Sequence, residues 1–370
     1  MRVLIGGGGT AGHIYPGLAL AEELKSLVEE IEIVFVGTES GLESEMVPQM
    51  GYTLKTIDAR GLPRRFAIDL LKTPFSLGKG AFDSLKILRE FRPHIVVGMG
   101  GYVSVPVVGV AAFLKIPTVI HEQNVIPGLA NRLLSRVAIV IAISYADTEE
   151  FFPKRKRIIL TGNPIRGEIL KPTHEDGILA LGLDPGRKTL LIFGGSRGAR
   201  RINHAVVEAY PLFRNFYDLQ IVHATGMIDF ENVSYAIKNI EKPQDKLIYK
   251  CFPYLDKINL AYAVADLALC RAGATTIAEI TARGIPALLI PYPYATDDHQ
   301  WKNAKILEKY GAARAIPDED LNGKTLFEQV TKLIFDQKSL SSMRENSRNL
   351  GKPQASRELA NLVLSLAKKQ

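Results

Sequence analysis

One pattern, a short apolar strand followed by a glycine-rich loop and a helix, occurs twice in the sequence, about half a chain apart. The first copy is RVLI leading into GGGGTAGH at residues 6–13, and the second is TLLIF leading into GGSRGA at residues 194–199. Further apolar runs, among them IEIVFVG, HIVVGMG, TVIHEQ, LQIVHATG and ALLIPYP, alternate with helical stretches. This βαβ repetition predicts parallel sheets covered by helices on both faces.

Because the pattern restarts, we expect an α/β protein made of two Rossmann-like domains that face each other across a cleft. The predicted domains are residues 1–163 and 164–344, with the link in TGNPIRGEILKPTHEDG, which is rich in glycine, proline and charge. A C-terminal helix at about 345–370 is a candidate to pack back on the first domain. Ligands of such sheets bind at the carboxyl ends of the strands, so the post-strand loops are where chemistry is expected.

Composition narrows the classes of partner. The 370 residues are 46% hydrophobic and 23% charged, as in soluble globular proteins. A net charge of +7 favours anionic partners such as phosphorylated ligands, nucleic acid or an acidic membrane surface. Cys251 and Cys270 lack metal-ligand or CxxC spacing, which fits buried thiols in a reducing compartment.

The uncharged stretch from Ile95 to Leu114 is long enough to cross a bilayer. Four glycines and Pro106 interrupt it, however, so we predict a buried strand, a tight loop and an apolar helix that begins near Ser104. A transmembrane span is the less favoured alternative.

The first glycine loop satisfies the Gly-x-Gly-x-x-Gly dinucleotide fingerprint at Gly7, Gly9 and Gly12. The acid that a dinucleotide ribose requires is misplaced, because the second strand ends in Gly37 and is followed by Thr38 and Glu39. Phosphate binding at a helix N-terminus and simple tight turning both remain open.

His13 lies directly behind this loop, at the start of the following helix. A helix dipole keeps an imidazole at this place neutral, as a general base requires. A capping or packing histidine is the alternative.

Four other loops carry polar residues after apolar strands. Ser196 in GGSRGA is either an anion-binding or a capping serine. HEQN at residues 121–124 is expected to be exposed at the mouth of a site, because four consecutive polar residues are costly to bury. Glu279 in RAGATTIAEI could hold the two hydroxyls of a ribose, or simply complement the helix dipole. The Asp297–Asp298 pair is interpreted as a polar loop and helix cap, not as a metal site.

Seven motifs, GGTAGH, GMGGYVS, HEQN, GNPIR, GGSRGA, AGATTIAE and DDHQ, resemble the MurG family in order and spacing over essentially the whole chain. The resemblance implies the GT-B architecture. It also implies a hexosyltransferase, which transfers N-acetylglucosamine from UDP-GlcNAc to the 4-hydroxyl of a lipid-linked muramoyl-pentapeptide in peptidoglycan synthesis. The transfer would be inverting, with no metal and no cofactor.

The resemblance also implies site residues. For the donor UDP-GlcNAc these are Thr10, Ala11, Gly12, Asn124, Arg166, Ser196, Leu255, Ala274, Thr275, Thr276, Ile277, Ala278, Glu279 and Gln300. Glu279 would hold the ribose and Leu255 would lie at the uracil. The acceptor side would include Tyr102, His121, Glu122 and Asn131. Ala11, Ala272 and Thr275 depart from the residues usual in the family, which affects fine geometry.

His13 is the expected general base, with Glu122 as its rival, and the sequence does not decide between them. A lipid-linked acceptor also gives the positive charge a role, because residues 62–82 mix apolar and cationic side chains. They predict a patch that binds the anionic cytoplasmic face of the plasma membrane peripherally. An ordinary amphipathic helix is the alternative. The predicted patch comprises Arg64, Arg65, Phe66, Leu70, Lys72, Phe75 and Lys79.

Three other functions are alternatives for this sequence. An NAD-dependent oxidoreductase would leave the loops of the second domain unexplained. A nucleic-acid-binding protein is disfavoured, because the positive charge lacks interleaved aromatic residues. A related GT-B enzyme acting on a different lipid or aglycone is the nearest alternative, since a fold does not fix the acceptor. Other cell-wall synthesis proteins are candidate partners.

Overall fold

The computed structural model describes residues 1–59, 73–195 and 198–368, with the backbone alone for residues 73–77. The chain divides into two compact units, Met1–Arg166 with Gln354–Gln370, and Gly167–Pro353. Each unit is built on a parallel sheet, so the predicted α/β class with two such units is confirmed. The boundary after Arg166 differs from the predicted one after residue 163.

The first unit contains a seven-stranded parallel sheet in the order β3-β2-β1-β4-β5-β6-β7. Its strands are β1 (Arg2–Gly6), β2 (Glu32–Gly37), β3 (Thr53–Thr56), β4 (Ile95–Gly98), β5 (Thr118–Glu122), β6 (Val140–Ile143) and β7 (Arg157–Leu160). The central strands β1, β4, β5 and β6 are almost wholly buried, as expected of apolar strands covered on both faces.

The helices that cover this sheet are α1 (Ala11–Leu27), α2 (Glu43–Gln49), α3 (Thr73–Phe91), α4 (Gly101–Phe113) and α5 (Leu129–Leu134). A 3-10 turn follows at Ala146–Phe151. The strand–loop–helix prediction for Ile95–Leu114 matches β4 and α4, although α4 begins at Gly101 instead of near Ser104. No helix within the described ranges has the length and apolar character that crossing a membrane requires.

The second unit contains a six-stranded parallel sheet in the order β10-β9-β8-β11-β12-β13. Its strands are β8 (Lys188–Phe193), β9 (Leu219–Ala224), β10 (Ile248–Phe252), β11 (Leu267–Cys270), β12 (Ala287–Leu289) and β13 (Ala313–Ala315). Its helices are α6 (His174–Leu181), α7 (Arg200–Phe213), α8 (Phe230–Ile240), α9 (Ile258–Val264), α10 (Ala274–Arg283), α11 (His299–Lys309), α12 (Gly323–Ile334) and α13 (Gln337–Leu350).

The C-terminal region forms two helices and not the single helix that was expected. α13 ends at Leu350, and α14 runs over Ala355–Ala367 after Gly351 and Pro353 interrupt the chain. A Cβ on Gly351 would lie 2.4 Å from the carbonyl oxygen of Thr281, so the chain passes too close to α10 for any other residue. α13 belongs to the second unit, whereas α14 packs on α1 in the first. Residues 345–353 are therefore misassigned in the predicted C-terminal helix.

Strand order places both glycine loops at the middle of a sheet edge. β1 lies between β2 and β4, and β8 lies between β9 and β11. In each sheet the chain first adds strands on one side of this strand, then crosses over and adds the remaining strands on its other side. Open parallel sheets bind ligands at this point.

Candidate active site

The first glycine loop turns the chain sharply from β1 into α1. Thr10 is the extended residue before the helix and is exposed, whereas Ala11, Gly12 and His13 are partly exposed in its first turn. The Nδ1 atom of His13 lies 3.2 Å from the carbonyl oxygen of Gly8 and 3.2 Å from Oγ1 of Thr10. A carbonyl can only accept, so the tautomer that satisfies Gly8 carries its proton on Nδ1 and leaves Nε2 as the basic nitrogen.

Two further glycines, Gly100 and Gly101, keep space beside this imidazole. Their φ angles are +93° and +76°, which other residues rarely adopt. A Cβ on Gly100 would lie 3.1 Å from Nε2 of His13, and a Cβ on Gly101 would lie 3.2 Å from Nδ1 and 2.6 Å from the oxygen of Gly8. The loop between β4 and α4 therefore approaches His13 closely without covering Nε2 with a side chain.

Glu43 supports the first loop from behind, and sequence reasoning missed it. Its fully buried carboxylate accepts hydrogen bonds from the backbone N–H of Gly9 at 3.0 Å, and from the N–H and hydroxyl of Thr38, both at 2.9 Å. A Cβ on Gly8, Gly37 or Gly41 would collide with this side chain. The glycines at 37 and 41 are the signal that could have singled Glu43 out among the acids of GTESGLESE.

The HEQN segment is not exposed at a site mouth as expected. His121, Glu122 and Gln123 are buried, and only Asn124 is partly exposed. Burial is tolerated because most of their polar atoms find partners inside the protein, with Oε1 of Gln123 as an exception. The expectation of exposure was wrong, since it ignored hydrogen bonds that loops distant in sequence supply.

Glu122 is the most heavily bonded of these side chains. One oxygen accepts from the N–H of Asn124 at 2.9 Å and from its side-chain amide at 3.2 Å. The other accepts from the N–H of Gly128 at 3.1 Å and from Nδ2 of Asn131 at 2.8 Å. Burial raises the pKa of Glu122, and these hydrogen bonds oppose that rise. Its role in the structure is to hold the loop that leads from β5 into α5.

His121 joins several loops through its ring. Its Nε2 lies 2.9 Å from the carbonyl oxygen of Gly162, and its Nδ1 lies 3.2 Å from Nε2 of Gln123. Burial lowers the pKa of His121 to about 4, outweighing the opposing hydrogen bond to Gly162, so the ring is neutral at pH 7. Both nitrogens are engaged within the protein, and direct substrate contact through them is not what the geometry provides.

Tyr102 and Arg166 lie close to α1. The ring of Tyr102 comes within 3.1 Å of the position of a Cβ on Gly9, whose φ is +86°. The guanidinium of Arg166 lies over the ring of Tyr15, 5.0 Å from its centroid. The structure thus brings Thr10, His13, Tyr102 and Arg166 to one edge of the first unit.

The second glycine loop is held mainly by backbone and amide groups. A Cβ on Gly198 would lie 2.0 Å from the carbonyl oxygen of Thr225, so this position must be glycine. Asn203, in the first turns of α7, donates to the same carbonyl at 2.9 Å and to Asp229 at 3.0 Å. Its Oδ1 lies 3.1 Å from Nε2 of the buried His223, whose Nδ1 lies 2.7 Å from the hydroxyl of Tyr249.

The remaining predicted donor residues of the second unit follow neighbouring strands. The segment Ala274–Glu279 forms the start of α10 after β11, and Leu255 follows β10 and is buried. Glu279 is buried and accepts a hydrogen bond from the hydroxyl of Tyr262 at 2.9 Å. Gln300 in α11 accepts from the N–H of Tyr292 at 2.9 Å. All follow the carboxyl ends of parallel strands, where such sites are expected.

Several predictions fall on residues that the structure leaves out. Ser196 lies outside the described residues, and so do five residues of the predicted membrane patch and the side chain of a sixth: Arg64, Arg65, Phe66, Leu70, Lys72 and Phe75. Lys79 is described, is exposed and forms an ion pair with Asp58 at 2.8 Å. Among the described residues, no group of three or more His, Cys, Asp or Glu side chains is arranged to hold a metal ion.

Comparison with known proteins gives a consistent result. The Glycosyltransferase family 28 N-terminal domain matches residues 3–143, and the family 28 C-terminal domain matches residues 189–360. The chain is 47% identical over 373 residues to a protein of Halothermothrix orenii, with each chain covered completely. That protein is named UDP-N-acetylglucosamine--N-acetylmuramyl-(pentapeptide) pyrophosphoryl-undecaprenol N-acetylglucosamine transferase.

A protein of the same name from Caldanaerobacter subterraneus is 41% identical over 366 residues, covering 99% of this chain and all of the other. Among solved structures, MurG of Acinetobacter baumannii is similar with a TM-score of 0.78 and 28% identity. The match covers 98% of this chain and 99% of that one.

Proposed function

The chain belongs to the MurG family, and from this premise we propose that it transfers N-acetylglucosamine from UDP-GlcNAc to a lipid-linked N-acetylmuramyl-pentapeptide. Full-length relatives that carry this name support the reaction as a whole. The alternative of a different lipid or aglycone acceptor is not favoured by them. The 4-hydroxyl of the muramoyl sugar is the attacking group in this proposal, and the configuration of the transferred sugar is inverted.

The observation that carries the mechanism is the placement of His13. Its Nδ1 is engaged by the first loop, and its Nε2 borders the space that Gly100 leaves open. A base needs an available lone pair within reach of the attacking hydroxyl. Nε2 of His13 borders the space beside Gly100, whereas both carboxylate oxygens of Glu122 are occupied by four hydrogen bonds within the protein. We therefore assign the base to His13, and a loop-holding role to Glu122.

The departing UDP needs groups that stabilise its developing negative charge. The backbone N–H groups at the N-terminus of α10, those of the second glycine loop with Ser196, and the guanidinium of Arg166 are donors of this kind. We propose that they act without a metal ion. Glu279 would hold the ribose hydroxyls, and Leu255 and Gln300 would contact the uracil and the transferred sugar.

On the acceptor side, the proposed contact is Tyr102, whereas Thr10 and the partly exposed Asn124 are proposed to contact UDP-GlcNAc. The ring nitrogens of His121 and the amide nitrogen of Asn131 are hydrogen-bonded within the protein, so we propose that these residues act by positioning their neighbours.

We further propose peripheral binding to an anionic membrane on the cytoplasmic face. Helices α3, α4 and α5 pack side by side in the first unit. Phe82 within α3 is 68% exposed and Phe113 at the end of α4 is 84% exposed, and the cations Lys79, Lys115 and Arg132 on or beside these helices are exposed as well. Exposed aromatic rings with cations around them suit an interface with acidic lipid.

A vesicle assay tests this surface. Binding to vesicles that contain acidic phospholipid should weaken with salt and fall when Arg64, Arg65, Lys72 and Lys79 are reversed in charge or when Phe113 is replaced by Ser. K324E, on an exposed lysine of the second unit, is the matched control. Unchanged binding by the charge-reversed protein would remove the surface from the proposal.

One assay tests the reaction itself. Transfer of N-acetylglucosamine from UDP-GlcNAc to the lipid-linked muramoyl acceptor should proceed in the presence of EDTA. In the same preparation UDP should raise the melting temperature and NAD should not, since a ligand stabilises the state that binds it. Absence of transfer with a folded, UDP-binding protein would refute the proposed acceptor.

A further inference from the structure

Three buried carboxamides of the first unit keep side-chain atoms without hydrogen-bond partners. They are Oε1 of Gln123, Oδ1 of Asn131, and both Oδ1 and Nδ2 of Asn163. Gln123 is 1% exposed, and Asn163, in the loop after β7, is 5% exposed. Buried amides without partners destabilise a fold, so a site that retains several of them calls for an explanation.

Gln123 and Asn131 form hydrogen bonds with His121, and Asn163 follows a residue that does. Nδ1 of His121 meets Gln123, its backbone oxygen accepts from Nδ2 of Asn131 at 2.9 Å, and its Nε2 meets the carbonyl oxygen of Gly162, the residue before Asn163. We call Gln123, Asn131 and Asn163 the His121 cluster. The ring of His121 thus bonds directly to the amide of Gln123 and holds the carbonyl of Gly162, the residue before Asn163, at the carboxyl ends of β5 and β7.

The hydrogen bonds of His121 also decide which way Gln123 points. The carbonyl of Gly162 can only accept, so Nε2 of the neutral ring carries the proton, and Nδ1 must accept. The group facing Nδ1 is therefore the amide nitrogen of Gln123, which also donates to the carbonyl oxygen of Met99 at 2.7 Å. Its Oε1 is turned away from both.

The oxygen of Gln123 faces the space beside His13. It lies 3.5 Å from the position of a Cβ on Gly100, and Nε2 of His13 lies 3.1 Å from the same point. A group that enters this space meets a basic nitrogen and a fixed carbonyl dipole together. The sugar that carries the attacking hydroxyl is the group that must come close to Nε2.

Asn163 offers a donor and an acceptor from a constrained backbone. The carbonyl of Gly162, whose φ is +81°, also accepts from the hydroxyl of Thr161 at 3.0 Å, and Pro164 follows Asn163. A carboxamide with both ends available matches a group that presents an acceptor and a donor side by side. Sugar hydroxyls and the acetamido group of an N-acetylhexosamine are such groups.

We propose that Asn163 and Gln123 bind the acceptor sugar, as specificity-determining residues on either side of His121. This rests on the proposed function, because the acceptor is identified by its approach to His13. The same chemistry is present on the donor sugar, so the test must separate the two substrates.

Two near-isosteric apolar variants, N163L and Q123M, provide that test. N163L removes an amide whose two polar atoms are buried without partners, so its melting temperature should be unchanged or higher, whereas Q123M also loses the hydrogen bonds of Nε2 to Met99 and His121 and should melt lower. The KM for the lipid-linked acceptor should rise by about tenfold per lost hydrogen bond. The KM for UDP-GlcNAc should stay the same, a division between substrates that a purely structural role would not produce.

Thr118→Val is the matched control. Thr118 Oγ1 is likewise buried without a partner, but it lies at the amino end of β5, away from the site edge. T118V should change neither KM. If N163L fails to fold, N163S and Q123M still measure the effect separately.

An unchanged acceptor KM in folded N163L and Q123M would overturn the inference, and so would a rise confined to the KM for UDP-GlcNAc. Failure of the proposed function looks different, because the wild-type protein itself would then transfer no sugar to the acceptor.

Discussion

The two glycine loops occupy the same place in their sheets but are stabilised by opposite kinds of group. The first, after β1, is held by the carboxylate of Glu43. The second, after β8, is held by the carbonyl of Thr225 and the amide of Asn203, with a neutral histidine behind them. One loop therefore has a buried acid beneath it, whereas the contacts that hold the other come from neutral groups.

This difference bears on which charge each loop can accept. A buried carboxylate behind the first loop disfavours a second negative charge and favours a cation, and Gly8 lies between it and His13. That arrangement suits the formation of an imidazolium as His13 takes a proton. The acid near the second loop, Asp229, bonds to Asn203 and pairs with Arg200 instead of accepting from the loop backbone, so this loop suits a pyrophosphate better. The contrast supports a base in the first unit and a donor site in the second.

Replacing His13 tests the contrast with the largest expected effect. H13A should lower kcat by about 10³-fold, the usual contribution of a positioned base, and leave the affinity for UDP-GlcNAc nearly unchanged. Turnover and UDP-GlcNAc binding measured on the same protein would check this. Near-normal turnover would transfer the role to Glu122 and leave the first loop without a base.

Removing the charge under the first loop should have the next largest effect. In E43Q an amide replaces one oxygen, so the contacts to Gly9 and Thr38 cannot both be kept. Displacement of the loop beside His13 should lower kcat by up to about 10²-fold, with a smaller change in the KM for UDP-GlcNAc. Steady-state kinetics of both substrates would measure the two effects.

Thr38→Val is the control for E43Q, because it removes a hydrogen bond to the same carboxylate without touching Gly9. It should lower stability by about 1 kcal/mol and leave kcat in place. If T38V lowered kcat as much as E43Q does, loss of stability and not loop position would explain both.

These two loops show which features of the fold and of the site can be predicted from the sequence and which cannot. The strand–loop–helix units followed from apolar runs and glycines, and their strands and helices are present. Glu43 and Asn203 escaped notice because their roles depend on contacts between segments far apart in the chain. His121 and Glu122 were identified as important but assigned the wrong exposure, since their hydrogen-bond partners lie in other loops.

Three short strands were also missed for a physical reason. β3 and β7 are edge strands whose residues are only half-buried, and β13 has three residues. Strands of this kind lack the continuous apolar run that marks a buried parallel strand. The predicted single C-terminal helix failed because it ran through Gly351 and Pro353, a helix stop signal that the sequence does display.

Loosening the second loop should have a smaller effect, of a different kind. N203A removes the amide that joins α7 to Thr225 and Asp229. If this loop binds the pyrophosphate, the KM for UDP-GlcNAc should rise by about tenfold, with kcat less affected. Y249F breaks the far side of the same network at Nδ1 of His223 and should leave the KM alone. Equal effects of both variants would argue against a direct link between Asn203 and the loop.

The last prediction concerns acid, and here the two units should behave alike. Burial lowers the pKa of His121 to about 4 and that of His223 to about 3, whereas both are near 6.5 in an unfolded chain. Between these values the unfolded chain binds more protons than the folded one. Stability is therefore retained above about pH 6.5 and falls as the pH drops towards 4, by about 1.4 kcal/mol per pH unit for each histidine.

Urea denaturation between pH 7 and pH 5 would measure this slope. H121Q and H223Q should each remove about one histidine's share of it, even though both variants start from a lower stability at pH 7. H204Q, on a side chain that is 75% exposed, is the control variant. A slope that is undiminished in both H121Q and H223Q would mean that the acid sensitivity arises elsewhere. A slope reduced in only one variant would show that the buried histidines of the two units differ in their contribution to acid sensitivity, although the two sheets are alike.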